Sequence, residues 1–283
     1  MKVLVTGATG LLGSRMLEAL PADWEVVGAY HSRPAPGMVP CEVANCCAVA
    51  QTIGDGGYDW VVHCAAIRSP DACERDPRRA MEVNAAGTEA VARAATDAGA
   101  WLAYASTDYV FGGDDPPHNE DDAPAPFNVY GHSKLAGERH ALSVPGGLVV
   151  RMPALYSLDL AAPNNVLAAL RESLTAGEPF AADERAVRHY TLAEEVAAAF
   201  AHLMQVRWRG VVHVSADQPS TKREFLAAAA GAMGLEADLV QAAEPHASAA
   251  ARPRDSRLDT SLYRSLQGPP FTGWRDALRG LAG

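Results

Sequence analysis

Lys2-Val3-Leu4-Val5-Thr6 leads directly into Gly7-Ala8-Thr9-Gly10-Leu11-Leu12-Gly13, and the reading of this stretch decides the fold. The short apolar run predicts a buried strand, and residues 14–20 carry helical periodicity. Between them stand three glycines at GxxGxxG spacing. Glycines let a backbone turn tightly and approach a pyrophosphate, while the helix N-terminus offers unpaired N–H donors to its charge. A connection that merely happens to be glycine-rich is the alternative. Three glycines at this spacing, between a predicted strand and a predicted helix, favour dinucleotide binding.

Working outward, short apolar runs alternate with longer helical patterns. Strands are predicted over 24–30, 58–64, 101–106 and 147–151, with helices over about 77–98 and 129–142. Near-continuous apolar strands alternating with helices imply a parallel sheet buried on both faces. After residue 151 the pattern changes. Helices over 163–176, 192–205 and 222–233 are separated only by short strands near 211–215 and 238–241. The expected architecture is α/β: a Rossmann-type doubly wound parallel sheet with a smaller mixed α/β C-terminal lobe. Residues 1–155 would form the dinucleotide-binding domain and 156–283 the substrate lobe, with the chain free to cross back into the large domain.

A length of 283 residues allows a sizeable core, and a net charge of −10 argues against nucleic acid as the main partner. A few local arginines can still favour a small anionic ligand. With no run of eighteen apolar residues, no membrane span is expected. The first residues enter a strand and a turn, so no secretory signal is expected either. Cys41, Cys46, Cys47, Cys64 and Cys73 are odd in number and contain no CxxC pair. We expect reduced thiols, a cytoplasmic setting and no metal site.

The end of the second predicted strand meets the adenine ribose in such folds, and a carboxylate there would favour NAD. This chain has Tyr30-His31-Ser32-Arg33 instead. Arg33 would fork onto a 2′-phosphate, with His31 or Ser32 adding donors, so NADPH is the expected cofactor and NADH the alternative. A solvated loop arginine would read the same way.

Tyr130-Gly131-His132-Ser133-Lys134 puts Tyr130 and Lys134 on one face of a predicted helix. A free tyrosine titrates near pH 10, and a nearby ammonium would stabilise its phenolate and lower that value. Alone, YxxxK is weak, since a solvated helix face also explains it. Upstream, the strand end at Ser106-Thr107-Asp108-Tyr109 adds a hydroxyl, Thr107, where ligands sit in doubly wound sheets. Turn chemistry is the alternative reading of that hydroxyl.

These residues together resemble the extended short-chain dehydrogenase/reductase family. The pattern is most similar to its dTDP-4-dehydrorhamnose reductases and to the regulatory subunit of methionine adenosyltransferase. The resemblance is carried by GATGLLG (7–13), VVHCAA (61–66), VNAAGT (83–88), STDYVFGG (106–113), NVYGHSKLAGE (128–138) and RPRDSRLD (252–259). It covers nearly the whole chain, more loosely between about 159 and 210.

The resemblance implies Tyr130 as general acid, Lys134 as its pKa-lowering and ribose-binding partner, and Thr107 as the hydroxyl of the triad. It implies that Gly7, Thr9, Gly10, Leu11, Leu12 and Gly13 cradle the cofactor. Ala65 and Ala66 would lie beside it, Glu42 and Val43 against the adenine, and Asn84 in support. Asp108 and Arg254, with Ser256, are the implied substrate contacts. The implied reaction is NADPH-dependent reduction of the 4-keto group of a nucleotide-activated 6-deoxysugar. Asp108-Tyr109 lacks the Asp-Glu pair of the family's dehydratases, which argues against dehydration, and Leu155-Tyr156-Ser157 departs from the frequent Leu-Tyr-Gly. The alternatives are a non-catalytic NADP-binding regulatory subunit and an epimerase or reductase that tailors a secondary metabolite. A homodimer is left open.

Overall fold

The structure, a computed structural model, describes residues 1–243 and 250–281. The central sheet contains β1 (Lys2–Thr6), β2 (Glu25–Tyr30), β3 (Val39–Pro40), β4 (Trp60–His63), β5 (Trp101–Ala105), β6 (Gly147–Arg151) and the strand Gly210–His213. Their order across the sheet is Gly210–His213, β6, β5, β4, β1, β2, β3, and every pairing is parallel. The direction of winding reverses between β1 and β4, which opens a crevice beyond their carboxyl ends.

Alternation along β1 divides the core in two, because successive side chains of a strand leave on opposite faces. Val3 and Val5 pack with Met16 of α1 (Leu11–Ala19) and with Val196, Phe200 and Leu203 of the helix Ala193–Gln205. Leu4 faces the other layer. That layer holds Val49 and Ile53 of α2 (Cys46–Gly54), together with Val91 and Ala95 of the helix Gly87–Asp97. Burying such aliphatic side chains contributes roughly 1.5–3 kcal/mol each, so both layers are needed to hold the sheet.

The periodicity over 77–98 predicts one helix, and the structure divides it. Past α3 (Pro70–Arg75), α4 (Pro77–Met81) passes through a π turn, Glu82–Ala86, into α5 (Gly87–Asp97). The widened turn carries Asn84, and such turns often accompany functional sites. α2, capped by Asn45, and the short elements α3 and β3 are further features that the periodicity left unassigned. The predicted helix 129–142 and strand 147–151 are α6 (Val129–Leu142) and β6.

The chain after residue 155 is shared between two places. The helix Ala193–Gln205 and the strand Gly210–His213 return to the central sheet. Val166–Thr175 and Lys222–Ala232 build the lobe around Phe225, which stacks on Tyr190 at 4.3 Å and meets Trp274 edge-on at 5.7 Å. No helix among the described residues is long and apolar enough to cross a membrane.

Candidate active site

A cavity of about 810 Å³ lies at the carboxyl end of the sheet, with the glycine turn and the lobe both contributing walls. Gly7, Thr9, Gly10, Leu11, Leu12 and Gly13 all line it. Gly7 has φ +67°, and a Cβ there would also stand 2.7 Å from the Ala65 nitrogen. A Cβ on Gly13 would lie 2.2 Å from the Gly7 carbonyl oxygen, so glycine is what lets α1 fold back onto the turn. Gly10 is the N-cap of α1 and no side chain caps it. The first amides of the helix have no partner within it, which suits them to an anion.

Beside the turn, exposed Arg33 donates through Nη2 to the Thr9 carbonyl at 3.1 Å. His31 Nδ1 lies 2.5 Å from Glu42 Oε2, and Arg79 Nη2 lies 3.8 Å from Glu42 Oε1. His31, Ser32, Arg33, Glu42, Val43 and Arg79 share this end of the cavity wall. Sequence reading missed Arg79, which stands in a short helix with no motif around it. Ala65 and Ala66 also line the cavity. Asn84 stands behind them. Its Nδ2 donates to the Ile67 carbonyl and to Ser133 Oγ, each at 3.0 Å, and its Oδ1 accepts from the Ile67 amide at 2.8 Å.

α6 carries Tyr130 and Lys134 to the same cavity. Asn128 caps the helix by accepting from the Gly131 amide at 2.7 Å. A Cβ on Gly131 would stand 2.2 Å from the Tyr109 carbonyl oxygen, so the glycine of YGHSK lets the helix approach the turn that follows β5. That turn presents Thr107, whose hydroxyl hydrogen-bonds Tyr130 and accepts from the Tyr109 amide at 3.2 Å. Thr107, Tyr130 and Lys134 therefore meet on one wall.

Their electrostatics differ from the expectation. Burial raises the Tyr130 phenol well above its ordinary value, with the Thr107 hydrogen bond opposing. Lys134 donates to the Ala105 carbonyl at 2.7 Å and lies 4.0 Å over the Tyr104 ring. Burial lowers its own pKa to about 7. Burial therefore sets the direction of the Tyr130 shift, against the lowering that the sequence led us to expect.

The implied substrate contacts are redistributed. Asp108 lines the cavity, but its carboxylate accepts from Thr107 Oγ1 at 3.1 Å and from Ser256 Oγ, with Arg188 Nε 3.8 Å away. Desolvation raises its pKa. Ser256 is fully buried against Asp108 and does not line the cavity. Arg254 does not line it either. Its backbone carbonyl accepts from the Val187 amide at 2.8 Å while its side chain is exposed. The arginine of that segment which reaches the cavity is Arg252, held to Asp71 by Nη2–Oδ2 contact at 2.7 Å. Arg188 and Lys222 line the same end. The RPRDSRLD motif pointed to this segment, but only the fold chooses between its arginines.

The family model of the RmlD substrate binding domain matches residues 1–282. The chain belongs to this family. This RmlD-family chain is 35% identical over 292 residues to methionine adenosyltransferase 2 subunit beta of Danio rerio, across 98% of this chain and 90% of that one. It is 32% identical over 276 residues to a probable low-salt glycan biosynthesis reductase, Agl14, of Haloferax volcanii, across 92% of this chain and 90% of the relative. Among solved structures, dTDP-4-dehydrorhamnose reductase of Bacillus anthracis in complex with NADP superposes with a TM-score of 0.87 at 26% identity, across 99% and 98% of the two chains.

Proposed function

We propose that this RmlD-family chain is a reductase that uses NADPH to reduce the 4-keto group of a nucleotide-activated 6-deoxysugar. The observation that carries this reading is that Thr107, Tyr130 and Lys134 line one cavity with the glycine turn. The uncapped N-terminus of α1 and the glycine-rich turn suit a pyrophosphate, and Arg33 and Arg79 suit a 2′-phosphate. The likeness to sugar-nucleotide and glycan reductases supports the substrate class.

Bound NADPH would supply a hydride to the carbonyl carbon. Tyr130 donates its phenolic proton to the carbonyl oxygen as negative charge grows there, so the alkoxide never forms free. Thr107 lies beside the phenol, and its hydroxyl would turn from Asp108 to donate to the phenolate oxygen as the tyrosine proton leaves. Lys134, one helical turn on, returns a proton to the tyrosine; a pKa of about 7 makes that transfer available near neutrality. Arg188, Lys222 and Arg252 hold the anionic part of the substrate at the lobe end of the cavity. A cytoplasmic setting completes the reading.

The test is NADPH oxidation by purified protein supplied with dTDP-4-keto-6-deoxyglucose, with Tyr130→Phe alongside. Turnover that survives the substitution unchanged would sink the mechanism. A second reading, a non-catalytic NADP-binding subunit, is favoured by the 35% identity to methionine adenosyltransferase 2 subunit beta. NADPH binding without turnover, together with co-elution with a methionine adenosyltransferase catalytic chain, would decide for it.

A further inference from the structure

A buried histidine that no step above uses stands between the two halves of the candidate site. His63 closes β4 and is fully buried. Its Nδ1 lies 2.6 Å from Thr6 Oγ1, and Thr6 immediately precedes Gly7. Its Nε2 lies 3.1 Å from Thr88 Oγ1, at the start of α5. The contacts continue without a gap. Thr88 Oγ1 donates to the Asn84 carbonyl at 2.7 Å, Asn84 Nδ2 donates to Ser133 Oγ at 3.0 Å, and Ser133 Oγ donates to the Tyr130 carbonyl at 2.8 Å.

The chemistry of the partners favours one direction for each proton. Thr88 spends its single proton on Asn84, so it accepts from His63, and Nε2 carries hydrogen. Burial lowers the pKa of His63 to about 3, so the ring is neutral at physiological pH and Nδ1 is an acceptor. Thr6 therefore donates to Nδ1, and its remaining lone pairs face the Ala65 amide at 3.4 Å. This tautomer satisfies both ends and keeps the Thr88–Asn84 bond as well.

We propose that His63 is a positioning residue that registers the cofactor turn against the catalytic helix, one ring nitrogen serving each. The inference rests on the functional reading above. Through Thr6, His63 sets the point at which β1 leaves the sheet and enters the glycine turn. Through Thr88 and Asn84 it sets the depth of α6, and so the height of Tyr130 above the nicotinamide end of the cavity.

The two nitrogens can be separated by substitution. In His63→Asn the amide oxygen falls near the position of Nδ1, keeping an acceptor for Thr6 and losing the donor to Thr88. In His63→Gln the amide nitrogen falls near Nε2, keeping the donor to Thr88 and losing the acceptor. NADPH affinity by titration calorimetry reads the turn, and hydrogen–deuterium exchange over 129–142 reads the helix. His63→Asn is expected to bind NADPH within about twofold of the wild type while exchange in the helix quickens. His63→Gln is expected to lose roughly fivefold to tenfold in affinity with helix exchange unchanged, the scale of one hydrogen bond.

Should either variant fold poorly, Thr6→Val and Thr6→Ser address the turn alone. Thr6→Val is expected to weaken NADPH as His63→Gln does, and Thr6→Ser to restore it. Variants that change both readouts together, or neither, would overturn the inference while leaving the functional reading intact. A wild-type protein that does not bind NADPH would overturn the functional reading and this inference with it.

Discussion

The ammonium of Lys134 donates to the carbonyl oxygen of Ala105 at 2.7 Å, although Lys134 shares a helix face with Tyr130. The lysine is thereby anchored to the sheet, while Thr107 bonds the phenol. The two side chains have different partners, so their roles separate in measurement.

Tyr130 supplies the proton in the proposed reduction, and phenylalanine keeps its shape without the hydroxyl. Tyr130→Phe is expected to reduce turnover by about 10²–10⁴-fold, the usual contribution of a positioned acid. NADPH affinity should stay close to that of the wild type in a calorimetric titration.

Lys134 also makes stability depend on pH in a defined direction. Its folded pKa, about 7, lies below its ordinary value of 10.5, so between these values the unfolded chain binds the proton more tightly. Stability therefore rises as pH increases through this window, by at most about 1.4 kcal/mol per pH unit. Lys134→Met removes this contribution. Chemical denaturation at pH 7 and 8, below the range in which unfolded thiols titrate, should show a steeper rise in the wild type than in the variant. An equal slope in both would refute the assignment.

At Gly13 the obstacle to a side chain is backbone. A Cβ would stand 2.2 Å from the Gly7 carbonyl oxygen, and neither α1 nor the turn can yield without moving the other. Gly13→Ala is expected to cost about 1–3 kcal/mol of stability, as overpacking does, and to abolish measurable NADPH binding. Thermal unfolding and titration of the same sample check both.

Arg33 is exposed and donates to the Thr9 carbonyl. If it clamps a 2′-phosphate, Arg33→Ala should weaken NADPH by roughly 10- to 100-fold, the range of a hydrogen bond to a charged group, and leave NADH unchanged. Arg79→Ala should act in the same direction, since Arg79 lines the same end of the cavity. An unaltered NADPH-to-NADH ratio in both variants would remove the clamp.

Behind the triad, Glu138 and Arg151 form a buried ion pair at 2.8 Å, with Ser106 Oγ also donating to Glu138 at 2.5 Å. Removing one charge strands the other in a dry interior. Glu138→Gln is expected to cost about 3–5 kcal/mol, read as a lowered denaturation midpoint. Replacing both partners with apolar residues should cost less than the single change.

The readable parts of this chain were those in which the signal is local. β1, the glycine turn and α1 are contiguous, so spacing alone reports a turn in which Gly7, at φ +67°, has no room for a Cβ. Tyr130 and Lys134 are one helical turn apart, and α6 has the same bounds as its periodicity predicts. Short elements such as α3 and β3 carry too few residues for a periodic signal. The π turn at Glu82–Ala86 is invisible for a related reason, because one widened turn hardly disturbs an apolar stripe.

By itself, then, the sequence determined the doubly wound half, its cofactor turn and the pair of residues on α6, since each depends on bonds within one element or between neighbours. Tertiary structure alone decided that the strand Gly210–His213 returns to the sheet, that Arg252 and not Arg254 reaches the cavity, and that Arg79, Arg188 and Lys222 join it. It also turned Lys134 toward Ala105 and placed His63 between the turn and the helix. These outcomes depend on which distant carbonyls, carboxylates and hydroxyls come within hydrogen-bonding reach when the layers pack, and no local pattern of residues encodes that.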